Sequence, residues 1–483
     1  MSLPNTHIGP EGIGNLLRGK KKLFFAGIGG VSMNSLASVS RLRGYEVSGY
    51  DRTPSEITAR LERSGITVYY EADADHVKDA DALVYTVAMP ETNPEYAWAK
   101  EHGIPLISRA DYLGWLMTGY GVRIGVSGTH GKSTTTGMLC RILTTAGVDP
   151  TVLNGAPLLQ TGAVDRIGGH DYFAFEACEY MDSFLDFQPT TAIVLNIDLD
   201  HVDYFHSMDQ LRGSFAKFAN LTGAGGLAVL NADDENCRTV RPMCVCRTVT
   251  FGRNNPAADY TSANEQTAGG YPSFDVARGG EILGHVTLKI PGAHNIANAV
   301  AAFAACAENG IDPAKIAEGL CEYKGIGRRM ERVTATAGGA AVYTDYAHHP
   351  TEIAVTLKGA RAICRGRLRV VFQPHTFSRT AELFDGFADA FAGSGADEVV
   401  LCDIYPARET NSYGVSSEGL AEAIAERGTR AFRAESFEAA ADCMTRDAGP
   451  DDLVIVMGAG DVIRVAEILK EREEENSEFR IQN

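Results

Sequence analysis

Short apolar runs alternate along this chain with stretches in which apolar side chains return every three or four residues. "KKLFFAGI" (21–28), "YEVSGYD" (45–51), "DALVYTVAM" (81–89) and "PLISR" (105–109) have the length and the branched or aromatic content of buried strands. "VSMNSLASVSRLRG" (31–44), ended by Gly44, and "ADYLGWLM" (110–117) read as helices among them. The alternation restarts at "RIGVSG" (123–128), and the helix behind it puts Met138, Leu139, Ile142, Leu143 and Ala146 on one face and stops at Gly147. "DYFAFEA" (171–177) and "TTAIVLNI" (190–197) are later strands of that round. The polar, glycine-rich stretch from Asn254 to Gly280 predicts peripheral hairpins, and "NIANAVAAFAACAENG" (295–310) a small-residue helix. A third round begins near Arg332. Its strands are "AAVYTDYA" (340–347), "RLRVVFQPH" (367–375), "DEVVLCDIY" (397–405) and "DDLVIVMG" (451–458). The helix "PTEIAVTLKGARAI" (350–363) opens with Pro350, where proline is tolerated. Strands interleaved with helices predict an α/β protein of doubly wound sheets. The charged tail from Lys470 is expected to fray.

The chain has 483 residues, enough for about three domains. The three rounds put these at residues 1–119, 120–330 and 331–483, with "TGYG" (118–121) as the first linker. The formal net charge of −18 argues against sequence-independent nucleic-acid binding, which needs a lysine and arginine surplus. It leaves nucleotide binding open, since a nucleotide needs only a local pocket. The ten cysteines form no C-x-x-C pair and read as reduced thiols of a cytoplasmic protein. "GKKKLFFAGIGGVSM" (19–33) has the basic start of a signal peptide, but its apolar run breaks into glycines at Gly27. No later run reaches the ~18 apolar residues of a membrane span.

Chemistry concentrates at strand ends. "GVSGTHGKSTTTGML" (125–139) has Gly131-Lys132-Ser133 between a strand and an amphipathic helix, the setting of a phosphate-binding loop. Its spacing departs from the usual pattern, because Val126 stands where the first glycine belongs. In that setting the backbone N–H groups of Gly128, Thr129, His130, Gly131 and Thr134 and the helix start face an anion. Lys132 would reach the β- and γ-phosphates and Ser133 would bind Mg²⁺. The plain alternative is a helix capped by small hydroxyl residues.

The earlier turn "AGIGGVSM" (26–33) offers Gly27, Gly29 and Gly30, with Ser32 in place of the third fingerprint glycine. Asp51 follows Gly29 by 22 residues, near the spacing of a ribose-binding acid. This turn suits NAD or another diphosphate such as a UDP-sugar, or is simply a tight strand-to-helix turn. Glu176 ends one strand, and Asp198, Asp200, His201 and Asp203 follow another, where Mg²⁺ ligands beside a phosphate loop belong. Asn295 starts a helix and serves as its cap in the plain reading. "TDYAHHPTE" (344–352) and "FQPHTFSRT" (372–380) add Asp345, Tyr346, His348, His349, His375, Ser378 and Arg379 at the strand ends of one sheet. Arginine suits carboxylate or phosphate by its planar fork.

Taken in order, "GIGGVSM", "GTHGKSTTT", "NIDLDHVDYF", "HNIANAVAA", "GRRME", "DYAHHPTE", "FQPHTFSRT", "DIYPARE" and "MGAGD" resemble the Mur ligases over nearly the full chain. The shorter G-T-x-G-K-S/T loop is that family's form. The resemblance implies a Rossmann-like N-terminal domain, a P-loop ATPase-like central domain and a Rossmann-like C-terminal domain. They would bind the UDP-sugar at the Gly27–Ser32 turn, ATP with Mg²⁺, and the incoming amino acid. It implies UDP-N-acetylmuramate and L-alanine as substrates, ATP as phosphoryl donor, and a cytoplasmic place in peptidoglycan synthesis, as a monomer or homodimer. It makes Lys132 a phosphate ligand, and Ser133, Glu176 and His201 the Mg²⁺ environment. Asn295 would contact the nucleotide, Arg329 and Asp345 would complete the ATP site, and Tyr346, His349, His375 and Arg379 would line the substrate pocket. Ser133 for threonine, Ser32 for glycine, Met330 for phenylalanine and "EACEYMDSFL" for the commoner "EADESD" run are departures that remove no functional group. His201 is a candidate base for the amine.

Three other readings compete. A recycling ligase would attach a preformed peptide to the same UDP-sugar. A nucleotide switch would leave the histidines and arginines after residue 340 without a role. An NAD-dependent oxidoreductase would leave Lys132 and Ser133 without one.

Overall fold

A computed structural model describes residues 3–200, 204–407 and 409–482. The first sheet consists of β1 (Lys22–Ala26), β2 (Glu46–Tyr50), β3 (Thr67–Tyr69), β4 (Ala82–Tyr85) and β5 (Leu106–Ser108), in the order β3-β2-β1-β4-β5. Every pairing in it is parallel. Phe24, Phe25, Leu83 and Val84 are fully buried, as continuous apolar strands covered on both faces must be. Strand order reverses between β1 and β4, which opens a crevice beyond their carboxyl ends.

The second sheet begins with β6 (Val122–Ser127), β7 (Thr151–Leu153), β8 (Asp165–Arg166), β9 (Tyr172–Glu176), β10 (Thr191–Val194), β11 (Leu227–Asn231) and β12 (Arg247–Gly252). It continues with β13 (Tyr260–Ala268), β14 (Tyr271–Arg278) and β15 (Glu281–Thr287), in the order β15-β14-β13-β12-β11-β10-β6-β9-β7-β8. The stretch expected to form peripheral hairpins thus supplies edge strands of this sheet. β6 lies inside it, parallel to β10 and β9, so the loop leaving β6 meets the loops leaving both neighbours.

The third sheet contains β16 (Glu331–Ala335), β17 (Ala341–Asp345), β18 (Leu368–Phe372), β19 (Glu398–Leu401), β20 (Arg430–Arg433) and β21 (Leu453–Met457). Its order is β16-β17-β21-β18-β19-β20, parallel except for the edge strand β16. Parallel direction puts the segments after Asp345, Phe372, Leu401 and Met457 at one end of the sheet.

Cα packing divides the chain into two compact units. One holds Met1–Ala263, Val276–Gly284 and Asn298–Leu320; the other holds Asn264–Asp275, His285–Ala297 and Cys321–Asn483. The charged tail lies in the helix Ile463–Gln482. A helix Gly9–Leu16 was not anticipated, because "GPEGIGNL" has three glycines and no helical periodicity. It packs on the helix Arg109–Met117 and buries Ile13, so tertiary contact outweighs its weak propensity.

Candidate active site

The phosphate-type loop leaves β6 and enters the helix Lys132–Thr145. Gly128 and Gly131 adopt φ +135° and +87°, values that favour glycine. A Cβ at Gly131 would stand 2.7 Å from Asn298 Oδ1. The shortened spacing therefore still puts a glycine at both bends. Gly131 caps the helix without a side-chain hydrogen bond, so no side chain of the cap covers its first turn.

The run after β10 clamps this loop. Asn196 Oδ1 accepts from His130 N–H at 2.8 Å while its Nδ2 donates to the His130 carbonyl at 3.0 Å. Thr129 Oγ1 donates to the Asp198 carbonyl at 3.1 Å and accepts from Asp198 N–H at 2.9 Å. The His130 ring lies 3.4 Å from the Asp198 carboxylate.

Lys132 Nζ donates to the carbonyls of Gly128 and Thr129 at 2.5 and 3.0 Å and pairs with Glu179 Oε2 at 3.3 Å. Burial opposes the charge, but Glu179, Cys178 and Glu176 outweigh it and hold the amine above its ordinary value. Lys132 is therefore cationic and poised at the loop. Glu179 was not singled out in the sequence. Its one sequence signal is its place three residues after the strand-end Glu176; the structure adds that it is 2% exposed, a burial acids rarely accept unpaired. The chain turns back just beyond it through Met181 and Asp182, both at left-handed φ (53° and 54°). The Asp182 carboxylate is anchored there by Tyr204 Oη at 2.8 Å and by Ser214 Oγ.

Glu176 ends β9, and its carboxylate accepts from Gly155 N–H. Ser133 and Thr134 lie in the first turn of the helix, Thr134 buried. His201 and Asp203 lie outside the described residues. Among the described residues no three histidine, cysteine, aspartate or glutamate side chains gather as a metal-binding group.

At the earlier turn Gly27 has φ +84°, and a Cβ there would meet Thr86 Cγ2 at 2.8 Å. Gly29 N–H donates to Asp51 Oδ2 at 2.9 Å, and Thr53 N–H to Oδ1 at 3.2 Å. The carboxylate is thus brought onto the turn from the end of β2, as the spacing implied. Gly30 caps the helix Val31–Leu42 without a side-chain bond, and Ser32 sits in its first turn.

The other unit gathers a second group. Buried Asp345 accepts from Met330 N–H and Ala347 N–H, both at 2.9 Å. Burial raises its pKa, although Arg329 and these two bonds oppose the rise. Arg329 Nη1 lies 3.3 Å from Glu352 Oε1. The guanidiniums of Arg328 and Arg329 stand 4.8 and 5.5 Å from the centre of the Tyr346 ring. Arg328 also donates to the carbonyls of Gly458 and Gly460, at 2.6 and 3.3 Å.

The His348 and His375 rings are 6.0 Å apart, and His375 stacks on Tyr405 at 5.5 Å. Arg379 Nη1 lies 3.4 Å from His375 Nδ1. Burial and the Arg379 charge push the His375 pKa down to about 4, with Glu409 opposing, so the ring is neutral near pH 7. Glu409 accepts from Ser378 N–H at 2.9 Å and from Ser378 Oγ at 2.5 Å, holding the start of the helix Phe377–Glu382 that carries Arg379.

Tyr346, His375 and Arg379 are thus brought together, with Arg328, His348 and Tyr405 added to them. His349 Nδ1 accepts from Thr351 N–H at 3.3 Å and caps the helix Pro350–Ile363. Asn295 lies in the first turn of the helix His294–Glu308, where its Nδ2 donates to the Pro291 carbonyl at 2.8 Å.

Three family models match the chain. "Mur ligase family, catalytic domain" covers residues 22–120, "Mur ligase middle domain" 126–306 and "Mur ligase, glutamate ligase domain" 328–460. A UDP-N-acetylmuramate–L-alanine ligase of Acetivibrio thermocellus is 43% identical over 94% of this chain and 96% of its own. One from Clostridium acetobutylicum is 42% identical over 93% of this chain and 97% of its own. The crystal structure of a UDP-N-acetylmuramate-alanine ligase from Thermotoga maritima superposes with a TM-score of 0.80 at 27% identity, covering 94% of this chain and 99% of that one.

Proposed function

The chain belongs to the Mur ligase family, and from that membership we propose that it joins L-alanine to UDP-N-acetylmuramate at the expense of ATP, in peptidoglycan precursor synthesis. The observation that carries the reading is the charged Lys132 at the mouth of a loop whose two bends only glycine suits. That loop has the strand, the glycines and the uncapped helix start that phosphate binding needs.

The reaction balances without an enzyme nucleophile. A muramate carboxylate oxygen attacks the γ-phosphorus, the bond to the β-phosphate oxygen breaks, and an acyl phosphate and ADP result. The amine of L-alanine then attacks the acyl carbon, phosphate leaves, and the nitrogen gives up a proton. Catalysis on this reading is positioning and charge neutralisation. Lys132 meets the β- and γ-phosphate oxygens, releasing Glu179 as it does so. Asn196 takes the N–H groups of Thr129 and His130, which were expected to face the anion, so the N–H groups of the helix start, Gly131 to Thr134, hold the phosphate chain while Asn196 keeps the loop in place. The Gly27–Ser32 turn with Asp51 takes the UDP end. Arg379, with neutral His375 and Tyr346, offers the amino acid's carboxylate a cation beside apolar surface. Ser133 and Glu176 present hard oxygen donors, which suit Mg²⁺, and His201 belongs to the same proposed set. A bound Mg²⁺ would add charge neutralisation at the phosphates. The ten unbridged cysteines fit a cytoplasmic site of action. Among the described residues no helix is long and apolar enough to cross a membrane.

The test is phosphate release from ATP with Mg²⁺ and UDP-N-acetylmuramate, with and without L-alanine, in the wild type and in Lys132→Ala. Release should need both substrates and fall by about 100-fold or more in the variant. Release that needs neither substrate would return the nucleotide switch. Release driven by a tripeptide and not by L-alanine would return the recycling ligase.

A further inference from the structure

Arg109 directly follows β5 and is the first residue of the helix Arg109–Met117. β4 separates β5 from β1 in the sheet, yet Arg109 Nη1 reaches Ser32 Oγ at 3.2 Å, in the helix that follows β1. Its side chain therefore spans the crevice beyond the carboxyl ends of β1 and β4, where strand order reverses and α/β sheets take their ligands.

That hydroxyl is the only hydrogen-bond acceptor of the guanidinium among the described residues, and no carboxylate among them lies within ion-pair distance. A guanidinium has five donors. Asp186 acts on it across a gap, but Asp186 Oδ1 is already engaged by His7 Nδ1 at 2.6 Å. A half-buried cation with one neutral partner is short of an anion. The turn that carries Ser32 also holds Gly27, where a Cβ would meet Thr86 Cγ2 at 2.8 Å, and the Gly30 cap with no side-chain bond on the helix start.

We propose that Arg109 receives the diphosphate of the UDP-sugar at the Gly27–Ser32 turn, with Ser32 orienting its guanidinium. The inference rests on the ligase reading. It adds a ligand from β5 to a site otherwise built on β1 and β2. Both Arg109 and Lys132 act on the Cys178 thiol through their charge, so two other anions need exclusion: the muramate carboxylate and the phosphates of ATP.

Binding constants of the full-length wild type, Arg109→Met and Arg109→Lys for uridine, UDP, UDP-N-acetylmuramate and ATP decide the matter. Arg109→Met should weaken UDP and UDP-N-acetylmuramate by the same factor, about 10- to 100-fold. It should leave uridine and ATP nearly unchanged, and Arg109→Lys should recover part of the loss. Four outcomes overturn the inference: uridine weakening as much as UDP, which makes Arg109 a brace of the turn; loss confined to UDP-N-acetylmuramate, which points to the carboxylate; loss of ATP; or no change in UDP binding. The lysine variant, with unfolding curves, separates these from a misfolded methionine variant. Failure of the wild type to bind UDP-N-acetylmuramate would sink the ligase reading itself, whereas a null result confined to the variants would not.

Discussion

At the scale of single residues, charge and burial decide what each group can do. Lys132 keeps its proton because Glu179 and its neighbours outweigh the cost of burial. His375 is the opposite case, since burial and Arg379 favour the neutral ring. Its pKa falls from 6.5 to about 4 on folding, so between those values the unfolded chain binds more protons than the folded one. The stability contributed by neutral His375 is therefore complete above about pH 6.5 and is lost as the pH falls toward about 4. Urea unfolding midpoints measured from pH 7 to pH 4 should fall more steeply in the wild type than in His375→Gln. Parallel curves would mean that the ring is not held neutral. Type and place alone single out Lys132, Asp51 and Arg379 in the sequence, each beside a strand end. The same pattern passes over Glu179, whose partner is known only once β9 lies beside β6, and Arg109, whose neighbour is 77 residues away.

At the scale of elements, the active loop depends on two conformations and one clamp. Gly128 and Gly131 bend the chain where a side chain would be strained. The run after β10 holds the bend through Asn196 and Thr129. Gly131→Ala meets both a left-handed φ and the Asn298 side chain. It should lower stability by roughly 1–3 kcal/mol and weaken ATP binding, as read by urea unfolding and nucleotide titration. An alanine variant as stable as the wild type with full ATP affinity would show that the bend is not needed. The strand and helix pattern was legible because buried parallel strands are continuous apolar runs. The helix Gly9–Leu16 was not, since glycines hide a helix that exists through its packing.

At the scale of the whole molecule, the two proposed ligand groups fall in different compact units. The Gly27 turn and the Lys132 loop belong to the unit of Met1–Ala263, and the Tyr346–His375–Arg379 group to the unit of Cys321–Asn483. UDP-N-acetylmuramate at about 100 times its Kd should stabilise the state that binds it by about 2.7 kcal/mol. Hydrogen exchange should accordingly slow at residues 27–32 with this ligand alone, and stay unchanged at 375–379. Protection confined to 375–379 would contradict the assignment.

By itself the sequence determined the α/β class, many of the buried strands, the family and which loops carry charged and glycine-rich motifs. Periodicity and local motifs carry those, and they are properties of neighbouring residues. Only the tertiary structure decided who meets whom. It paired Lys132 with Glu179, assigned His349 to a helix cap, set His375 against Tyr405 and Arg379, and laid Arg109 across the crevice to Ser32. The physical reason is that charge state, burial and partner depend on strand order. Strand order is set by the packing of segments far apart in the chain, which no local pattern records.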